Sequence, residues 1–141
     1  MTTLPIGSSD DEILALIRAW AAALAEGNFN RAYALTAHDP YYHWTPDLIR
    51  DVIAGYGVPR SQANGLAHRV TALATATGPI KPRHEVRRFS EPRSLGAGIA
   101  AIGEVWFDLP LDGAWSDLTA TFEIQRTEEH LRLVLNDIHV F

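Results

Sequence analysis

The residues best suited to chemistry lie near the end of the chain, where Leu131, Leu133 and Leu135 alternate and a two-residue period carries Asp137, His139 and Phe141 onto the same strand face. A carboxylate and an imidazole two positions apart on a strand are separated by about 6.5 to 7 Å at the backbone. A direct or water-bridged hydrogen bond would hold His139 in one tautomer, as a proton-transfer base requires. A bulge near Asn136 reverses this: Ile138 and Val140 turn to the core, while Asp137 and His139 go to solvent or a sheet edge. Alternation alone leaves both readings open.

Two further groups of residues could contribute to a site. The segment His38-Asp39-Pro40-Tyr41-Tyr42-His43-Trp44 is the densest aromatic and imidazole patch, and it makes Tyr42, His43 and Trp44 candidate ligand contacts. The plainer reading is an ordered loop, with Tyr42 and Trp44 plugging the core and Asp39-Pro40 making a turn. His38 and His43 have no cysteine or suitably spaced acid beside them, so no metal site is expected. Glu104, Trp106 and Asp108 share one strand face, opposite Gly103, Val105, Phe107 and Leu109. An acid beside a tryptophan in a cavity is a candidate proton donor. A solvated sheet face is the more ordinary outcome, although Trp106 suggests that something covers it.

Composition narrows the function classes. A net charge of −5 argues against nonspecific nucleic-acid binding, which needs a concentrated basic surface. Lys81, Arg83, Arg87, Arg88 and Arg93 do form a local basic cluster. It reads as a charge-protected edge strand or as an anion-binding patch. No stretch approaches the roughly 18 apolar residues of a membrane span, and the first residues carry neither a basic nor an apolar leader. A cytoplasmic protein with no membrane partner is expected. The sequence has no cysteine, no Gly-x-Ser-x-Gly and no phosphate-binding loop, so no cofactor is expected.

The elements that must position these residues follow from periodicity. Ser9-Asp10-Asp11-Glu12 is a capping box, and Ile13, Leu16, Ile17, Trp20 and Leu24 then recur at helical spacing up to Gly27. Asn28 caps a short second helix reaching Ala37, and Thr45-Pro46-Asp47 starts a third that carries Leu48, Ile49, Val52, Ile53 and Tyr56. Gly57 and Pro59 end that helix and open a polar loop over 57–67. Strands are expected at 68–76, 83–89, 98–109, 115–126 and 131–141. Short connections favour antiparallel pairing. The 141 residues suit one domain spanning 1–141, with 1–8 as a flexible lead. The fold class is α+β: three N-terminal helices packed on a curved antiparallel sheet of about five strands.

A long amphipathic helix ending in Glu26-Gly27-Asn28-Phe29, a second with Ala32-Tyr33-Ala34-Leu35, a third launched by Thr45-Pro46, and then a bent sheet resemble the nuclear transport factor 2-like superfamily over residues 10–141. The resemblance implies a cone-like fold whose helices and curved sheet enclose a mostly apolar pocket. Members use it for ligand binding, for isomerase or dehydratase chemistry, or only for oligomer contacts, and fold alone does not choose among these. The stretch Gly113–Ala120, together with Asn136–Val140, is also similar to an uncharacterised bacterial domain family, which implies no activity. The active-site acid and histidine of the enzyme members have no residue-by-residue match here. The leading expectation is a protein that binds a small apolar ligand or a protein partner in its concave face, as a homodimer. An isomerase or dehydratase with His139 as base and Asp137 orienting it is one alternative. An immunity or accessory interaction protein is the other.

Overall fold

The start of each helix is fixed by the residue before it. Ser9 Oγ accepts the Glu12 N–H at 3.2 Å while Glu12 Oε1 accepts the Ser9 N–H at 3.1 Å, closing the capping box that opens α1 (Asp10–Ala25). Asn28 Oδ1 takes the Arg31 N–H at 3.1 Å and starts α2 (Phe29–Leu35). Thr45 Oγ1 takes the Leu48 N–H at 3.0 Å, and Pro46 occupies the first position of α3 (Pro46–Ala54). The computed structural model describes residues 1–56 and 68–141, so the loop expected over 57–67 lies outside the described residues.

Behind the helices stands a curved, open sheet of five strands in the order β1-β5-β4-β3-β2. The strands are β1 (Ala37–His38), β2 (His84–Gly96), β3 (Ile99–Leu111), β4 (Ala114–Arg126) and β5 (Leu131–Val140). All neighbouring pairs are antiparallel except β1 with β5. The core lies between α1, α3 and the concave face of the sheet. Ile13, Ile17 and Trp20 of α1 are fully buried there, and the Trp20 ring meets Phe122 of β4 edge-on at 5.0 Å. Alternation in β4 holds as expected, with Leu118, Ala120, Phe122 and Ile124 in the core. Register breaks in every antiparallel pair bend the strands. One of them accommodates Pro110 inside the central strand β3, where an unbroken ladder would exclude it.

Four expectations about the elements are corrected. The second helix stops at Leu35, because Ala37 and His38 pair in parallel with Val134 and Leu135. No strand spans 68–76. Val70 makes a single bridge to Leu111, and Leu73–Thr75 turns as a 3-10 helix. This segment crosses the end of the β3–β4 hairpin and is held by separate bonds, Thr71 N–H to the Pro110 carbonyl and Asp112 N–H to that of Arg69. The strand expected to end at 89 continues to Gly96, since an edge strand tolerates Pro92 where the pairing is already broken between Arg88 and Arg93. Residues 1–8, expected as a flexible lead, are tied down: Leu4 and Leu131 exchange both backbone bonds, and Ser8 is buried. Among the described residues no helix is long and apolar enough to cross a membrane.

Candidate functional site

The pairing of β4 with β5 decides where the terminal acid and imidazole go. Phe122 faces Leu135, whereas the adjacent Thr121 faces Asp137, so Asn136 is the extra residue of a bulge. The bulge reverses the parity of everything after it. Ile138 is in the core at 3% exposure, and Asp137 and His139 lie on the outer face opposite Thr121 and Thr119. They do not bond to each other. Asp137 Oδ1 accepts the N–H of Ile138 at 2.8 Å, and Oδ2 receives the Tyr42 hydroxyl at 3.5 Å, where the carboxylate charge raises the pKa of the phenol. His139 meets the Phe141 ring edge-on at 5.1 Å. Of the two readings left open by alternation, the structure shows the bulged one.

The loop patch explains the bulge. Trp44 is buried and its indole Nε1–H donates to the carbonyl of Asn136 at 3.1 Å, while the Tyr42 ring packs 5.8 Å from it. Past the short β1, the free edge of β5 is thus blunted by the Trp44 indole and by the Asp137 carboxylate on Ile138 N–H. His43 stands apart, exposed and with a positive φ of 53° in the turn.

On the outer face Trp106 is half-covered by its own chain. The Arg83 guanidinium lies 4.4 Å above its ring centroid, Phe141 packs 4.8 Å away, and its Nε1–H donates to Glu104 at 3.1 Å. Asp108, on the same face, is buried and accepts from Thr119 Oγ1 and from the Arg83 N–H. The neighbouring arginines are engaged as well: Arg87 with Glu104, Arg88 with Asp10 and Arg93 with Glu123. The basic cluster therefore guards and fastens an edge strand. Among the described residues no group of three or more histidines and acids is placed to hold a metal ion.

A different constellation, which the sequence reading missed, lies on the concave side. His84 of β2 stacks on Phe107 at 3.8 Å, with Trp115 edge-on at 5.4 Å. Its Nε2 is 3.0 Å from the Asp108 carbonyl, which can only accept, so the neutral ring carries its proton there and presents Nδ1 as an acceptor. Burial lowers the pKa of His84, against the pull of the Asp108 carbonyl and charge, and the Arg18 guanidinium of α1 lowers it further. Arg18 also borders a recess of about 420 Å³ between α1 and the Leu73–Thr75 turn, lined by Ala22, Ala25, Ala72, Leu73 and Ala74. A smaller recess of about 230 Å³ adjoins it beside Gly27, Phe29 and Val70. The imidazole with its aromatic partners and the neighbouring recess are assembled from residues 18, 73, 84, 107 and 115. No local spacing announces such a set.

A second missed pairing holds the hairpin end in place. His68 Nδ1 lies 2.7 Å from Asp112 Oδ2, while Asp112 Oδ1 accepts the Arg69 N–H at 3.2 Å. The His68 bond, the largest influence, holds the Asp112 pKa below its usual value. The Tyr56 ring packs edge-on to His68 at 5.4 Å, and its hydroxyl donates to Asp117. Compared with known protein families, with curated proteins and with solved structures, the chain has no match.

Proposed function

We propose that this chain is a ligand-binding protein of the cone-like α+β type, taking a small apolar molecule in the surface recess between α1 and the Leu73–Thr75 turn. The observation that carries the reading is the recess of about 420 Å³, whose side chains are four alanines and a leucine apart from Arg18 and Glu26. Its volume falls within the roughly 300–1,000 Å³ of ligand pockets. The order of helices and strands that resembles the nuclear transport factor 2-like superfamily supports ligand binding as a class of function, although this recess lies outside the space between helices and sheet. The proton-transfer alternative through Asp137 and His139 loses its support, since the two side chains face away from the recess and do not bond.

Ala22 is exposed, so an indole in its place fills the recess without entering the core. Benzyl alcohol serves as a small apolar probe. It is expected to shift the methyl resonances of Ala25 and Leu73 in the native chain and to leave them unmoved in Ala22→Trp. Equal shifts in both proteins, or none in either at millimolar probe, would overturn the reading.

We further propose that the protein works as a homodimer joined through the outer sheet face. Phe141, 63% exposed, packs on Trp106 at this face, and Tyr41, 78% exposed, lies in the loop whose Tyr42 reaches Asp137 at its edge. The Arg87–Glu104 and Arg93–Glu123 pairs supply both charge signs, which a two-fold copy can meet in register. The chain is expected to sediment at twice its 15.6 kDa mass, and Phe141→Ser to sediment at the single mass. A native monomer at high micromolar concentration overturns the dimer.

A further inference from the structure

We propose that the recess between α1 and the Leu73–Thr75 turn selects an anionic occupant, a small apolar monocarboxylate whose carboxylate pairs with Arg18 while its hydrocarbon body lies against Ala22, Ala25 and Leu73. The inference rests on the ligand-binding reading above and adds the chemical class.

Arg18 carries a charge that no described residue around it answers. Acids outnumber bases by 17 to 12 in this chain, the arginines of β2 are consumed by Asp10, Glu104 and Glu123, and Arg83 just before it lies over the Trp106 ring. The Arg18 guanidinium, by contrast, has no hydrogen bond or ion pair among the described residues. Its position on the helix explains why. The residues three and four away on either side are Leu14, Ala15, Ala21 and Ala22, none of which can pair with a guanidinium. The carboxylate that shares the recess, Glu26, sits eight residues further on, about 12 Å along the helix axis. It closes the far end of the recess and leaves the charge of Arg18 uncompensated.

The groups around Arg18 favour a carboxylate over other partners. A planar guanidinium presents parallel N–H donors that match two carboxylate oxygens, and the alanine and leucine side chains beside it offer contact to a hydrocarbon body. His84, near enough to feel the Arg18 charge, is kept neutral at pH 7 by burial and so does not repel a cation or attract an anion by itself. The anion preference therefore belongs to Arg18. A cationic ligand would meet Arg18 at one end and the exposed Glu26 only at the other. A neutral one would leave the guanidinium as it is.

The test uses three probes of one shape: benzoate, benzyl alcohol and benzylamine. Each is titrated against the full chain, with the methyl resonances of Ala22, Ala25 and Leu73 as readout. Benzoate is expected to bind tightest, and Arg18→Gln to weaken it about tenfold, to the level of benzyl alcohol. Benzyl alcohol itself should bind both proteins alike. Arg18 is exposed, so the glutamine variant is expected to melt with the native chain. A second readout is the His84 imidazole, faced by Arg18 from α1 and by Asp108 from β3: bound benzoate should raise its titration midpoint in the native chain and leave it unmoved in Arg18→Gln. Equal binding of benzoate and benzyl alcohol, insensitive to Arg18→Gln, overturns the anionic class while the ligand-binding reading stands. Preference for benzylamine overturns it too. If none of the three shifts the recess methyls at millimolar concentration, both fall together.

Discussion

The Trp44 indole donates to the Asn136 carbonyl from 92 residues away, at the one position where β5 departs from regular pairing with β4. That contact stabilises the bulge, and the bulge determines which face receives Asp137 and His139. Trp44→Phe keeps an aromatic ring in a buried position but withdraws the donor, leaving the Asn136 carbonyl without its partner. The expected cost is about 1–3 kcal/mol of unfolding free energy. Urea denaturation with an unchanged m-value measures it. A variant as stable as the native chain would mean that the bulge is fixed by other contacts.

The parts of the fold that were legible in sequence are those with local causes. Ser9 and Glu12 close their capping box within one turn, Thr45 and Pro46 launch α3, and β4 alternates without interruption over Leu118–Ile124. The parts that were not legible depend on distant partners. Nothing near Ala37-His38 marks a strand; the two residues extend because Val134 and Leu135 offer them backbone bonds. Val70 has strand character, yet it crosses a hairpin end whose bonds are spaced for a connection and not for a ladder. The terminal strand shows the limit best: its alternation is intact through Leu135, and a single added residue, stabilised by a loop side chain, inverts the rest. The recess was illegible for the same reason. Arg18 reads as one more solvated residue of α1 until Leu73 and His84 are placed beside it.

Asp108 holds the start of β2 to β3 and β4 from a buried position. Its two oxygens accept the Arg83 N–H and the Thr119 hydroxyl, each at 2.7 Å, and its own N–H bonds to the Arg83 carbonyl. Asp108→Ala leaves both donors without the acceptor. A loss of about 2–4 kcal/mol is expected, with Asp108→Asn losing less because one acceptor remains. Equilibrium urea unfolding of both variants reads the difference, and a change within about 0.5 kcal/mol for the alanine variant would show that the donors find other acceptors.

Gly103 is required by the close approach of β2. A Cβ there would stand 2.7 Å from the Arg87 carbonyl oxygen and 3.2 Å from Ile124 Cδ1, and the first of these is backbone that cannot swing aside. Gly103→Ala is therefore expected to destabilise by about 1–3 kcal/mol despite the higher strand propensity of alanine. Amide exchange should locate the damage, with protection falling first in β2 next to Arg87 and Arg88. Uniform loss across all strands, or none, would contradict the assignment.

Two half-buried histidines set the response to mild acid. His38 stacks on Tyr33 at 3.9 Å and His84 on Phe107 at 3.8 Å, and burial is the leading cause that lowers the pKa of each below 6.5. Between that value and the depressed folded-state values, the unfolded chain binds protons that the folded chain refuses. Stability is then complete above about pH 6.5 and declines as pH falls through the folded-state pKa values. Asp112, whose pKa is also lowered, adds its own decline only below its ordinary value of 3.8. Urea midpoints should accordingly drop between pH 7.5 and pH 5 (about one to two units around the histidine value). Replacing His38 with phenylalanine, which retains the stacking, should flatten part of that slope; a slope unchanged by the substitution would assign the acid sensitivity to other groups.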